Sequence, residues 1–226
     1  FHMGVGGAAL ATVISQGLSA ILSFIYIKKK FTILKPSKEE MKYDKSLSKV
    51  LLRVGLPGAF QYSITAISCI LVQASLNNFG SDSVAAYSVA NKIENMVTQF
   101  YPALGIGIST FAGQNLGAGE LKRVRKGFRV SVYMNIAYSI LAFFICQFFA
   151  SPMTKLFVDS NTSSPLVIEE SILYVTTMSI FFIPLGFIFI FRTGCQGLGS
   201  GKIPMLSAII ELIARATEEL ETKTTQ

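Results

Sequence analysis

Residues 4–27, 54–79, 84–111, 130–153 and 171–191 form five long apolar stretches. Each is long enough to cross a bilayer core as a helix, which takes about 20 residues. Four of the five contain no Asp, Glu, Lys or Arg. A soluble domain hides one or two such helices in its core, not five, and 51% of the 226 residues are hydrophobic. A β-barrel strand alternates apolar and polar residues over about ten positions, whereas these runs are continuous. Backbone surrounded by lipid satisfies its own hydrogen bonds as helix. The expected fold class is therefore all-α, a polytopic helical membrane protein.

The net charge of +7 raises the question of nucleic acid, but its distribution answers it. Nine of the 20 Lys and Arg lie between Lys28 and Arg53, five between Lys122 and Arg129, and Arg192 and Lys202 flank a third connection. The connections 80–83 and 151–171 hold only Lys155. Such alternation is the positive-inside pattern of membrane topology. It assigns 28–53, 112–129 and 192–203 to the cytoplasmic side, and 80–83 and 154–170 to the external side. The basic loops are also expected to meet anionic headgroups.

Cys69, Cys146 and Cys195 are scattered through or beside the spans, as packing residues rather than a disulfide framework. The only histidine is His2, so no Cys/His metal site assembles, and no cofactor is expected. The opening stretch has no basic leader and runs into Lys28-Lys29-Lys30, unlike a secretory signal. Asn161-Thr162-Ser163 is a glycosylation triplet of a kind common by chance. The linker 28–53 begins polar, and its end, SLSKVLLRVG, sets Leu47, Val50, Leu51 and Val54 on one face, predicting a short interfacial helix before the second span.

A repeat organises the rest. Gln114-Asn115-Leu116-Gly117-Ala118-Gly119 and Gln196-Gly197-Leu198-Gly199-Ser200-Gly201 share the pattern Q-x-L-G-x-G and lie 82 residues apart, as do Pro102 and Pro184. The unit is a helical hairpin: an outgoing span, a short loop, a proline-interrupted returning span, and a glycine turn. Proline inside a helix removes a backbone hydrogen bond and bends it. Glycine after a helix permits the left-handed cap. These turns follow membrane helices rather than strands, so they are not phosphate-binding loops. Internal repeats with broken spans belong to secondary transporters, where bendable helices line the substrate path. Pro102 and Pro184 are the expected hinges.

The third stretch is the one that carries charge. Lys92 and Glu94 lie roughly 12–15 Å inside its boundary along a helix axis, where an ionisable group costs about 2.5–3.5 kcal/mol. Two residues apart on a helix, they point in different directions. A shift of 82 sets Tyr174 against Lys92 and Thr176 against Glu94, so the scaffold is duplicated and the charge is not. A carboxylate in a partly dry cavity exchanges a proton, or competes a proton against a cation, near neutral pH. Glu94, Lys92, Gln61, Asn91 and Thr98 are the expected cation- and substrate-binding residues. Glu211 and Arg215, four apart, suit a helical ion pair. Tyr62, Phe100, Tyr101, Phe181 and Phe182 suit stacking on a ligand or simple packing.

GGAALATVISQ, LLRVGLPGAF, ANKIENMVTQFYPALGIGISTFAGQNLGAG and RTGCQGLGSGKIPMLSAIIELIAR together resemble the multidrug and toxic compound extrusion (MATE) family, over residues 4 to about 215. The resemblance implies a twelve-helix, two-lobe antiporter that admits H⁺ or Na⁺ while exporting organic, often cationic, drug-like compounds through a plasma membrane, such as a bacterial inner membrane. On that mapping 1–27 is the last helix of the first lobe, 28–53 the linker, 54–216 second-lobe helices, and 217–226 a polar tail. Of the second-lobe carboxylates that family members often carry, only the helix-eight one has a match, Glu94. The chain is expected to lack the first five helices and to leave the eleventh unfinished, so that on its own it would not transport. A flippase for lipid-linked sugars is the alternative within the superfamily. An enzyme would need metal or nucleophile motifs that the sequence does not contain.

Overall fold

The computed structural model describes residues 4–31, 42–158 and 164–224; the glycosylation triplet and most of the polar linker lie outside them. Among the described residues there are eight α-helices, one 3₁₀ turn at Asn77–Phe79, and no strand. Helix α1, Gly4–Lys30, belongs to a separate unit of the chain and ends in Lys28-Lys29-Lys30, which complement the negative end of its macrodipole.

Helix α2, Lys45–Leu76, starts where Asp44 accepts the backbone N–H groups of Ser46 and Leu47 at 2.7 and 3.2 Å. The interfacial helix expected at SLSKVLLRVG is not separate: it forms the first turns of this 32-residue helix. Pro57 is held inside the helix. The carbonyl that Pro57 leaves without its helical partner is that of Arg53. Gly201 packs there; a Cβ on it would lie 3.2 Å from both the Arg53 oxygen and the Pro57 ring.

The next two spans are broken. Helices α3, Ser81–Thr98, and α4, Phe100–Gly117, meet at Gln99. After α5, Leu121–Phe157, helices α6, Pro165–Ser179, and α7, Phe182–Gly197, meet at Ile180-Phe181 with a bend of 58°. Pro102 and Pro184 each occupy the third position of the second segment, as the repeat predicts. Helices α1, α2, α5 and the bent pair α6–α7 are long and apolar enough to cross a membrane. The stretch 84–111 is not one apolar helix. It is divided at Gln99 into α3 and α4, and Lys92 and Glu94 make the α3 part polar.

A helix end leaves carbonyls unpartnered, and lipid supplies no water to meet them. Helix α5 meets them instead. Tyr138 donates to the Val97 carbonyl at 2.6 Å, in the last turn of α3. Gln147 donates to the Thr176 carbonyl at 3.0 Å, in the last turn of α6. Asn135, fully buried, adds a bond to the backbone just past the second break rather than at a helix end, donating to the Ile183 carbonyl at 3.1 Å in the first turn of α7. Ser139 links the two breaks, 3.0 Å from the Tyr101 hydroxyl and 3.4 Å from the Asn135 amide oxygen. Asn135 fits because Gly186 faces it; a Cβ there would collide with the amide.

Helices α3 and α6 pack side by side, as do α4 and α7, with α5 laid against all four. The α4–α7 contact is backbone to backbone. Gly105, Ser109 and Gly113 recur every fourth residue on α4 and face Thr193 and Gly197 of α7, the small-residue spacing that lets membrane helices approach closely.

Both turns end in the left-handed cap, Gly119 at φ +75° and Gly199 at φ +82°. The hydrogen bonds match: Gly119 to Leu116 and Glu120 to Asn115 in one, Gly199 to Gln196 and Ser200 to Cys195 in the other. The capping glycine is the last of the motif in the first copy and the middle one in the second. The two copies therefore align 82 residues apart at the prolines and 80 apart at the turns. Helix α7 is 16 residues long where α4 is 18, and Gly201 is released to pack on α2.

Helix α8, Lys202–Thr224, continues through most of the stretch expected as a polar tail, whose Glu, Leu and Lys residues are good helix formers.

Gly197→Ala drives a Cβ into the Ser109 backbone and is expected to cost about 1–3 kcal/mol. Gly117→Ala, with open space around it, is expected to be neutral or mildly stabilising. Thermal unfolding of the purified chain in detergent distinguishes the two.

Candidate functional site

Helices α2, α3, α6 and α8 line an open cavity of about 610 Å³. Its polar lining comes from Tyr87, Asn91 and Glu94 of α3, Glu170 and Tyr174 of α6, and Arg215 of α8. On α3, Tyr87, Asn91 and Glu94 are four and three residues apart, so one helix face presents all of them. Helix α6 turns Glu170 and Tyr174 inward by the same spacing.

Glu94 is half-buried. The Tyr174 hydroxyl donates to its Oε2 at 3.1 Å. The Tyr174 ring meets Tyr87 edge to face, with centroids 5.5 Å apart and planes at 90°. The site thus combines a hydrogen-bonded carboxylate with two aromatic rings, the pairing that recognises an organic cation. Beside it, Glu211 bridges two arginines: its Oε1 lies 3.0 Å from Arg215 and its Oε2 lies 3.1 Å from Arg192, whose guanidinium also donates to Ser207 at 3.0 Å. The helical pair Glu211–Arg215 read from spacing is present, with Arg192 as an added partner from α7. One carboxylate shared by two guanidiniums leaves a positive charge in this cluster, and Arg215 brings it to the cavity wall.

Among the expected site residues, Glu94 and Asn91 come together here. Asn91 also accepts an amide hydrogen bond from Asn95 at 2.6 Å. Lys92 does not join them. It is exposed, on another face of α3, as its two-residue offset from Glu94 requires. Gln61 is buried, but it accepts from Gln196 of the second turn motif at 2.9 Å and so ties α2 to α7 instead of lining the cavity. Thr98 donates to the Glu94 backbone carbonyl at 2.7 Å in the last turn before the break. Of the aromatic residues, Tyr101 and Phe182 are core, Phe100 stacks on Tyr138 with centroids 4.0 Å apart, and Tyr62 is exposed.

Tyr174, Tyr87, Glu170 and Arg215 were not expected as wall residues of a shared site. Spacing places Tyr87 with Glu94 and Glu170 with Tyr174, but the approach of α3 to α6 is tertiary. The 82-residue shift set Tyr174 opposite Lys92, two positions from the carboxylate it meets.

Three comparisons bear on this chain. The family model described as MatE matches residues 57–217. A probable multidrug resistance protein, YoeA, of Bacillus subtilis is 31% identical over 180 residues, covering 78% of this chain and 38% of the relative. A FAD transporter of Shewanella oneidensis is 26% identical over 208 residues, covering 92% of this chain and 44% of the relative. The chain therefore spans less than half the length of these relatives. A solved structure of a MOP superfamily transporter from Pyrococcus furiosus, described as having a binding pocket of reversed polarity, superposes with a TM-score of 0.84 at 19% identity, covering 94% of this chain and 47% of that one. That likeness concerns the fold.

Replacing Glu211 with Ala strands Arg192, whose side chain is 13% exposed, without its carboxylate. The expected loss is about 1.5–3 kcal/mol, the range for a hydrogen bond to a charged group. A double-mutant cycle of Glu211→Ala with Arg192→Ala in thermal unfolding checks it; additive losses would show that the pair is not coupled.

Proposed function

The chain belongs to the MATE family, and on that premise we propose that it forms the second lobe, with one helix of the first, of a cation-coupled antiporter that exports organic cations. The observation that carries this reading is Glu94, hydrogen-bonded by Tyr174 in a cavity with the Tyr87–Tyr174 ring pair. An organic cation lies against the rings with its charge on Glu94. A proton or Na⁺ occupies the same carboxylate in its absence, so the two ligands exclude one another. The two named relatives differ in cargo, so the cargo is argued from the lining. That lining holds two carboxylates, Glu94 and Glu170, against one arginine, Arg215, itself held by Glu211.

The coupled motion is carried by the breaks at Gln99 and Ile180-Phe181, just ahead of Pro102 and Pro184. Occupancy of Glu94 acts on α3 one turn before Gln99, and Thr98 ties its hydroxyl to the Glu94 carbonyl there. Alternating access works by rocking one lobe against another. The 226-residue chain alone, in liposomes, is therefore expected to give no ion-coupled dye transport.

A flippase for lipid-linked sugars would need a cationic cavity for pyrophosphate. The carboxylates at Glu94 and Glu170 weigh against it, and the Arg192–Glu211–Arg215 cluster is the observation in its favour.

The test is Glu94→Gln in a two-lobe protein carrying this chain. Ion-driven efflux of an organic cation is expected to be lost while membrane insertion is unchanged. Undiminished efflux would remove Glu94 from the mechanism. Tyr87→Leu separates substrate recognition from coupling: it should weaken binding of the organic cation by about 0.5–2 kcal/mol while leaving proton or Na⁺ binding in place.

A further inference from the structure

A second cavity lies away from Glu94. Between α4 and α5, near the turn that joins them, an open groove of about 450 Å³ runs along both helices. Leu104, Ile108 and Phe111 of α4 line it together with Val130 of α5; Gly107 leaves its floor open, and Gly127 takes the Phe111 ring against its backbone. On each helix these positions recur at three and four residues, so one stripe of each faces the groove. Arg123 and Lys126 stand at the turn end. Both are exposed, and neither takes part in an ion pair among the described residues. Glu120 is the one acid between residues 112 and 130, against five basic residues. The groove thus has a positive mouth and an apolar floor.

A free phosphate would answer the two cations and leave the floor unused. An apolar segment would fill the floor and leave the cations unanswered. An anionic phospholipid answers both. We propose that the α4–α5 groove binds one anionic phospholipid, with its phosphate at Arg123 and Lys126 and one acyl chain along Phe111, Ile108, Leu104 and Val130. The length fits. From Arg123 to Ser131 the helix rises about 12 Å, close to the roughly 15 Å half-thickness of a bilayer core. This site does not depend on the function proposed for Glu94.

The chain contains no tryptophan, so a single introduced one reports its own surroundings. Leu104→Trp places it in the groove. Ile140→Trp, at a position 46% exposed elsewhere on α5, serves as the reference. The full chain is reconstituted in phosphatidylcholine vesicles containing either brominated phosphatidylglycerol or brominated phosphatidylcholine, and quenching gives the relative binding constant. Trp at 104 is expected to favour phosphatidylglycerol on the order of tenfold, as two basic residues at a surface allow, while Trp at 140 shows no preference. Arg123→Gln with Lys126→Gln should bring the groove to parity. Gly107→Leu, whose Cβ meets nothing within 4 Å, should fill the groove and reduce quenching by either lipid. Val130→Trp repeats the reading from the opposite wall should Leu104→Trp fail to fold. Equal preference at the groove and the reference overturns the proposal, as does a preference that survives loss of both cations. A preference abolished by millimolar inorganic phosphate at constant ionic strength would assign the cations to a free anion and overturn it too.

Discussion

Everything in this bundle depends on carbonyl oxygens that two breaks leave without helical partners. A helix that stops inside lipid exposes acceptors that nothing in the hydrocarbon can satisfy. The chain meets this constraint from a single element. Tyr138 and Gln147 of α5 reach the last turns of α3 and α6, and Asn135 reaches the backbone beside Pro184. The bends are therefore held from one helix. The glycine-rich α4–α7 contact then lets these two segments lie close against each other, with only the small Thr193 side chain between them at Gly105.

The charged residues follow the same logic of local provision. Glu94 has Tyr174, and the arginines of α7 and α8 share Glu211. Lys92, with no such partner in the cavity, turns to an exposed face of α3. The side chains at the cavity wall thus form a small, mixed-sign surface of carboxylates, phenols and one guanidinium.

Much of this was legible from pattern. The apolar runs, the alternating charge, the duplicated proline and glycine turn, and the lone carboxylate on the third span all report local requirements that a sequence must write out in residue types. The Glu211–Arg215 pair was legible because both partners share one helix. What could not be read was anything requiring two elements to meet. Tyr174 and Glu94 are 80 residues apart, Gln61 and Gln196 are 135 apart, and no periodicity on either helix announces the other. The buried face of α5, Asn135 with Tyr138 and Ser139, reads as ordinary polar scatter until the breaks it serves are placed beside it. The start of α2 differs from the expected separate helix because nothing between Lys45 and Leu76, Pro57 included, stops the helix.

The two turn motifs look like copies, yet the helices leading into them differ by two residues. Gln114 and Gln196 stand in the same phase after their prolines, and only the end of the helix comes two residues earlier in the second copy. Gln114 points outward, while its namesake Gln196 reaches Gln61 on α2, because the helix packed beside each copy differs. Descent from a common hairpin has given the halves the same spelling and separate duties. The role of Gln196 is therefore not transferable to Gln114.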